Sequence, residues 1–437
     1  MQGRLSARKN EAMKKRPIVW IAVTVVVTAL VIVIGLNFVP AEKQLERHIS
    51  HTFNLDSPQL TREMGTLLGP AIIPGNRVRY LENGVQIFPA MLEAIRGAQR
   101  SITFETYIYW SGHVGAQFAD AIAERARAGV RCHVLIDWVG SQKMDDALIE
   151  TLESAGVEIE RYHPLSWYHL ARMNNRTHRK VLVVDGKVGF TGGVGIADLW
   201  EGNAEDPEHW RDAHFEVHGP VVAQMQAVFL DNWIKATGAV LSGEAYFPSL
   251  APAGASPAQM FSSSPSGGSE SMQLMYLMAI AAAEHTIALS ASYFVIDKNT
   301  TRALVDAANR GVRVRILVPG RHIDAPVVRH ASRGQWGPLL AAGIEIHEYQ
   351  PTMFHCKVFV VDGLLVSVGS TNFDNRSLEL NDEANLNVYD RAFGARMTEV
   401  FERDLEHGRR VTYESWRMRP LSERVREKLL APFASQL

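Results

Sequence analysis

Two short segments of the chain carry the same three ionisable residue types at the same spacing: one residue separates histidine from lysine, and four separate lysine from aspartate. The two sets are His178, Lys180 and Asp185, and His355, Lys357 and Asp362. On an extended segment the histidine and lysine lie on one face, because strand side chains repeat every two residues. A lysine supplies charge and hydrogen bonds to a phosphate, and a neighbouring imidazole can act as nucleophile or acid near neutral pH. The pattern indicates a catalytic phosphate site.

A turn of small residues follows each aspartate after six intervening residues. Gly192 and Gly193 form the first turn, and Gly369, Ser370 and Asn372 belong to the second. Small residues let the backbone approach an anion, and the hydroxyl and amide of the second turn can donate hydrogen bonds to it. One His-x-Lys in a strand usually has no function. Two copies with matched aspartates and turns favour a substrate-binding and catalytic site.

The elements that position these residues are also duplicated. Three further pairs of segments match in the same order: 101–110 with 286–295, 126–137 with 308–319, and 154–164 with 341–351. Helix-like apolar periods alternate with short β-branched runs that are typical of buried strands. This alternation predicts an α/β fold with two pseudo-symmetric lobes, in which sheets are flanked by helices.

The second copy resembles the signature of the phospholipase D superfamily, His-x-Lys-x4-Asp followed by Gly-Ser-x-Asn. The likeness extends over about residues 75–435, and "NNRTHRK" and "WRDAHFEVHGP" are similar to the bacterial cardiolipin synthase branch. The resemblance implies two lobes whose His-Lys pairs meet at a pseudo-twofold interface. It also implies that His178 forms a phosphohistidine intermediate while His355 protonates the departing alcohol, since one histidine cannot do both.

Each histidine also needs a partner that orients its second ring nitrogen. The family uses an acid downstream of the motif, and laying "DAHFEV" on "EANLNV" selects Asp212 and Glu383. Asp185 and Asp362 complete the catalytic motifs, but each ends its strand before a glycine. We interpret these two as structural charges that hold the strand ends.

The first copy departs from the family pattern at one position. Gly195 stands where the family usually has asparagine, so the first half lacks a hydrogen-bond donor that the second half keeps in Asn372. The departure could weaken phosphate binding or make the halves unequal. Because both His-Lys pairs are intact, we expect the protein to be active.

The segment 165–176 is an insertion relative to the second half. We predict that it forms a lip over the site, with Trp167 and Tyr168 facing lipid. Arg172 and Arg176 would then face the substrate headgroup. A packed loop without function is the alternative.

The N-terminus has the pattern of a membrane anchor. Residues 1–16 carry six basic residues against one acid, and residues 17–39 contain no charge. An uncharged run of this length can cross a bilayer as a helix. A cleaved signal peptide is the alternative, although the apolar run is long for one. The positive-inside rule predicts a cytoplasmic N-terminus and catalytic lobes on the extracytoplasmic side of a bacterial inner membrane.

The remaining chain divides by composition. We expect a neck at 40–74, a first lobe at 75–248, a Ser/Pro/Gly-rich linker at 249–270, and a second lobe at 271–437 that ends in a helix. That final helix either packs on the body or contacts a membrane surface. Cys132 and Cys356 lie in apolar runs and are predicted to be buried free thiols.

Composition narrows the function classes. The formal net charge of −2 argues against bulk attraction to nucleic acid. We expect phosphatidyl transfer between two phosphatidylglycerol molecules to give cardiolipin, with no cofactor. Histidines near 209–218 lack a metal-ligand spacing, so no metal site is expected. Hydrolysis by the same site, as a phospholipase D or a nuclease, is the alternative; a catalytically silent scaffold fits two intact motifs poorly. The oligomeric state does not follow from the sequence.

Overall fold

The computed structural model describes residues 20–32, 49–164, 175–265 and 270–430. Residues 20–32 form helix α1, and large apolar side chains along it, including Trp20 and Ile32, are exposed. No helix within the described ranges is long and apolar enough to cross a bilayer. The remainder of the predicted span at 17–39, and the predicted lip up to residue 174, lie outside those ranges.

The catalytic part of the chain alternates strands and helices as the repeat predicts. The strands are β1 (Ile73–Glu82), β2 (Ser101–Thr106), β3 (Arg131–Asp137), β4 (Glu158–Tyr162), β5 (Val181–Val184), β6 (Val188–Gly192), β7 (Ala213–His218), β8 (Ser256–Ser263), β9 (Thr286–Ala291), β10 (Phe294–Val295), β11 (Arg313–Pro319), β12 (Glu345–Tyr349), β13 (Lys357–Val361), β14 (Leu365–Gly369), β15 (Phe373–Asp374), β16 (Glu383–Tyr389) and β17 (Gly408–Val411). The helices are α2 (Pro58–Leu67), α3 (Asn83–Gly97), α4 (His113–Arg127), α5 (Asp146–Ser154), α6 (Val222–Thr237), α7 (Glu270–Ala282), α8 (Lys298–Asn309), α9 (Pro326–Ala341), α10 (Asn375–Glu379), α11 (Arg391–Glu406), α12 (Tyr413–Arg417) and α13 (Leu421–Leu430). A short 3-10 helix lies at Asp198–Trp200.

One sheet of fifteen strands joins the two halves. From the centre outward, the first half has the order β1-β7-β6-β5-β2-β3-β4, and the second half has β8-β16-β14-β13-β9-β11-β12-β17. Up to the additional edge strand β17, the two orders correspond strand for strand. The antiparallel pair β1 and β8 lies at the centre, so the pseudo-twofold relation that the duplication predicted is confirmed.

The predicted linker at 249–270 was wrong in its central part. Ser256–Ser263 form β8, which pairs with β16 on one side and with β1 on the other. Ala258, Met260 and Phe261 are buried on it. The serine and proline content of the segment obscured this apolar run, and the strand is held by its two neighbours more than by its own propensity.

Hydrophobic packing also crosses from one half to the other. One core cluster contains Val181 and Phe215 of the first half together with Val358 and Leu386 of the second. Each half also has a cluster drawn mainly from its own residues. The lobes therefore fold against each other, and elements at their junction are fixed on both sides. Cys132 and Cys356 are buried free thiols, as predicted.

Candidate active site

His178 lies just before β5, and its contacts come from the opposite lobe. Its backbone N–H donates to the carbonyl of Asp382 at 2.9 Å, beside a parallel bridge between Thr177 and Asp382. The Nδ1 atom lies 2.9 Å from Oε1 and 3.1 Å from Oε2 of Glu383. The carboxylate holds this ring nitrogen, which leaves Nε2 for chemistry.

His355 repeats the arrangement from the other side. Its backbone N–H donates to the carbonyl of Arg211 at 2.8 Å, beside a parallel bridge between Arg211 and Phe354. Nδ1 lies 2.7 Å from Oδ2 of Asp212. The alignment of the halves thus selected two carboxylates that do contact the histidines. Each one serves the histidine of the other lobe, which the alignment did not predict.

The paired carboxylates carry charge in spite of their burial. Burial alone would raise the pKa of Glu383, but His178, Lys180 and a hydrogen bond from Ser370 lower it to about 2. The pKa of Asp212 is likewise lowered, because His355 and Lys357 outweigh its burial. Both groups are therefore ionised partners for an imidazolium.

The two lysines share one site. The Nζ of Lys180 donates to the carbonyl of His178 at 2.8 Å, and that of Lys357 donates to Ser292 at 2.7 Å and to the carbonyl of His355 at 2.9 Å. Burial and the Lys357 charge lower the pKa of Lys180 to about 7. Two buried ammonium groups that repel each other provide a place for an anion such as a phosphodiester.

Strand β5 begins only after Lys180, and β13 begins at Lys357. The two motif histidines therefore precede their strands, where we had expected them within the strands. The reason is that these residues pair with the segments before β16 and β7 across the lobe junction. The junction, more than the strand pleat, sets their orientation.

The motif aspartates lie away from the reacting groups. Asp185 accepts hydrogen bonds from the backbone N–H groups of Gln99, Arg100 and Ser101 at 2.7 to 3.1 Å. Asp362 binds three successive backbone N–H groups in the same way, at 2.7 to 2.8 Å. This geometry supports our interpretation that the aspartates hold strand ends.

The small-residue turns differ in how they support the carboxylates. Ser370 donates its hydroxyl to Glu383. At the matching position, a β-carbon on Gly193 would lie 2.2 Å from the Asp212 carboxylate. The indole Nε1 of Trp200 donates to Asp212 at 2.9 Å in place of a hydroxyl. These contacts support orienting roles for Ser370 and Gly193, whereas we had predicted that they bind substrate.

Trp200 also accounts for the glycine at position 195. A β-carbon there would lie 2.8 Å from Cβ of Ile108 and 3.1 Å from the Trp200 ring. An asparagine would have to displace this indole, whose ring centroid is 5.4 Å from that of His355. In the second half Asn372 is buried, and its Oδ1 has no hydrogen-bond partner among the described residues. That oxygen can accept a hydrogen bond from a ligand hydroxyl but cannot donate one to a phosphate.

Arg176 lies near His178, together with Tyr107 and Arg376, two residues that the sequence analysis did not predict. Arg176 hydrogen-bonds to Tyr107, whose ring centroid is 5.1 Å from the His178 ring. Burial and the nearby Arg176 charge lower the pKa of Arg376. Tyr107 lies within the repeated segment 101–110, which could have indicated it. No sequence pattern indicated Arg376.

Arg211 is a further residue that the sequence analysis missed. It is buried, and its guanidinium binds Asp404 of α11 at 2.8 and 2.9 Å and the hydroxyl of Tyr80 at 2.8 Å. Its backbone pairs with the segment before His355. Arg211 thereby holds in place the segment that leads through Asp212 into β7. In the part of the chain that the structure describes, no group of His, Cys, Asp or Glu side chains could hold a metal ion.

Comparison with known proteins identifies a matching family model and several similar sequences. A family model described as the phospholipase D-like domain of cardiolipin synthase matches residues 91–232 and 276–405. The chain is 36% identical over 363 residues to a cardiolipin synthase of Geobacillus kaustophilus (strain HTA426), covering 82% of this chain and 72% of that protein. It is 31% identical over 397 residues to cardiolipin synthase 1 of Bacillus cereus (strain ATCC 14579), covering 89% and 78%.

Among solved structures, the phosphatidylserine synthase of Haemophilus influenzae Rd KW20 is similar in fold. The TM-score is 0.66, with 86% of this chain and 100% of that chain covered. The sequences are 13% identical, so the likeness concerns the fold alone.

Proposed function

This chain belongs to the cardiolipin synthase family of phospholipase D-like phosphatidyltransferases, and from this premise we propose that it makes cardiolipin from two phosphatidylglycerol molecules at a membrane. The crossed pairing of His178 with Glu383 and of His355 with Asp212, around two buried lysines, is the observation that carries the proposal. It gives a single phosphate two differently placed histidines.

In the first half-reaction, Nε2 of His178 attacks the phosphorus of the donor lipid. The bond between phosphorus and the glycerol oxygen breaks as His355 gives that oxygen a proton. Free glycerol leaves, and the phosphatidyl group remains on His178. Lys180 and Lys357 balance the charge on the phosphate oxygens.

In the second half-reaction, a hydroxyl of the acceptor phosphatidylglycerol gives its proton to His355 and attacks the same phosphorus. The bond between phosphorus and His178 breaks, and cardiolipin is released. One phosphodiester has replaced another, so the reaction balances without a co-reactant.

Electrostatic surroundings support this division of roles. Burial, together with the charges of Lys180 and Lys357, lowers the pKa of His178 to about 4 against the one carboxylate of Glu383. Burial and Lys357 also lower the pKa of His355, but Asp212 and Asp324 both oppose them. His178 is therefore the better neutral nucleophile, and His355 the better proton donor.

The proposed substrate contacts rest on the surroundings of each residue. Arg176 and Arg376 place positive charge beside His178, where an anionic headgroup would lie. Gly192 ends β6 beside His214. The side-chain oxygen of Asn372 has no hydrogen-bond partner in the described part of the chain. We propose Arg176 and Asn372 as ligand contacts, and Gly192 as a residue that permits close packing.

Membrane attachment by residues 17–39 remains part of the proposal, supported by the exposed apolar side chains of α1. The same is true of the domain division, in which two lobes follow an anchor and a neck; with β8 included, the second lobe begins near residue 256 and not at residue 271. With a cytoplasmic N-terminus, a reporter enzyme that works only in the cytoplasm should be inactive when fused after Leu437. Full activity of that fusion would contradict the orientation.

Product analysis tests the proposed reaction. Purified protein incubated with labelled phosphatidylglycerol in mixed micelles should form cardiolipin and glycerol in equal amounts. The His178→Ala variant serves as the control and should form neither. Phosphatidic acid as the main lipid product would instead establish the hydrolytic alternative.

A further inference from the structure

The last helix of the described chain has its apolar residues on the outside. Leu421, Val425 and Leu429 are spaced four residues apart on one face of α13, and they are 73%, 47% and 67% exposed. Met418, just before the helix, is 76% exposed. We call these four residues the α13 stripe. Elsewhere in the described chain after α1, residues such as Val85 and Val240 are exposed apolar side chains that do not form such a stripe.

Polar contacts on the opposite face fix this orientation. Glu427 is 5% exposed, and both of its carboxylate oxygens lie 2.9 Å from Nε of Arg419. The Arg419 guanidinium lies 4.0 Å from the centre of the Trp416 ring, and Trp416 donates to the carbonyl of Arg333 at 2.6 Å. A helix that buries a paired carboxylate and exposes its leucines is amphipathic in the sense opposite to an ordinary surface helix.

The charges around the α13 stripe are mostly positive. Arg417, Arg424, Arg426 and Lys428 are exposed beside it. The acidic residues of α13 are engaged elsewhere: Glu427 with Arg419, and Glu423 with Arg333 at 3.6 Å. An apolar face bordered by cations matches the boundary between acyl chains and anionic headgroups.

We propose that the α13 stripe lies in the surface of an anionic lipid bilayer and holds the catalytic lobes against the membrane. A second copy of this chain is a poorer occupant, because a twofold contact would bring the four cations of each copy together. The contact is separate from the reacting groups and from the residues proposed as an anchor.

A fluorescent probe on the helix tests this directly. Cys132 and Cys356 are both 2% exposed, so a polarity-sensitive maleimide dye should label only an added cysteine. Full-length Val425→Cys is labelled and reconstituted into vesicles with or without anionic phosphatidylglycerol. Val85→Cys, whose native side chain is 53% exposed on α3, is the matched control.

We expect dye emission at position 425 to rise and shift to the blue in anionic vesicles, with no change at position 85. Emission that stays water-like at position 425 would overturn the proposal. So would a blue shift in detergent that grows with protein concentration, because that result identifies a second copy as the occupant. The probe reports binding and not catalysis, so either result leaves the proposed reaction to its own test.

Activity measurements on a triple variant provide a second test. Leu421→Gln, Val425→Gln and Leu429→Gln together should lower activity on vesicle-embedded phosphatidylglycerol by about tenfold or more, because most of the apolar face is lost. Activity on dispersed short-chain phosphatidylglycerol should be unchanged, which shows that the variant folds. An equal loss on both substrates, or no loss on either, would count against the lipid contact.

Discussion

At the residue scale, the same motif has two different surroundings. The His178 ring is near two lysines and one carboxylate, whereas His355 is near one lysine and two carboxylates. The motif itself does not encode this difference. It comes from Asp324, which binds the hydroxyl of Tyr293 at 2.7 Å, and from Lys180, whose charge adds to that of Lys357 in lowering the pKa of His178.

The pH dependence of kcat/KM should follow these groups. His178 is neutral, and able to attack, above its pKa of about 4. Lys180 is charged, and able to hold a phosphate, below its pKa of about 7. We therefore expect kcat/KM to rise through about pH 4 and to fall through about pH 7, as measured on an activated nitrophenyl phosphodiester, whose leaving group needs no proton from His355.

Substitution of Lys180 by arginine identifies the alkaline limb of that profile. Arginine stays charged throughout this pH range, so the fall should move to higher pH in Lys180→Arg even if the maximal rate is lower. An alkaline limb at the same pH in both proteins would show that another group is responsible.

At the element scale, the motif aspartates act on strand ends. Asp185 and Asp362 have φ angles of 53° and 51°, and each binds three successive N–H groups at the start of β2 or β9. Those strands lie beside the strands that follow His178 and His355. A change here should alter folding more than chemistry.

We expect Asp185→Asn to lower the free energy of unfolding by about 1–2 kcal/mol, because one oxygen can still accept hydrogen bonds. The kcat of the folded variant should stay within about twofold of wild type. Denaturant titration and kinetics measure the two quantities. Asp145→Asn, at a helix start whose side chain makes no capping bond, is the control and should change neither. A large loss of kcat with unchanged stability would assign Asp185 to catalysis.

At the whole-molecule scale, the two histidine–carboxylate pairs exist only because the lobes meet. Asp212 of the first half serves His355, and Glu383 of the second half serves His178. We expect Glu383→Gln to impair formation of the phosphoenzyme, and Asp212→Asn to impair departure of an alcohol. With an activated nitrophenyl phosphodiester, whose leaving group needs no proton, the burst of nitrophenol should therefore be nearly as fast in Asp212→Asn as in the wild type, whereas Glu383→Gln should slow it. The reverse pattern would mean that each acid acts within its own lobe.

The sequence predicted the structure best where segments of the two halves match. Matched segments predicted the alternation of strands and helices, the motif residues and the identity of both orienting acids. The crossing of Asp212 and Glu383 could not be predicted, because it depends on how two distant surfaces pack. Strand β8 was missed because its neighbours, more than its own residues, make it a strand. The indole of Trp200 donates to Asp212 and packs against Gly195. These contacts join residues of separate loops, so no local sequence pattern predicts them.

The central claim is that two facing histidines divide attack and proton transfer, and a burst measurement tests it most directly. With the activated nitrophenyl phosphodiester, His355→Ala should release a burst of about one nitrophenol per enzyme and then stall, because the second step lacks its base. His178→Ala should give no burst, since no phosphoenzyme can form there. A burst from His178→Ala with none from His355→Ala would contradict the assignment and reverse the two roles.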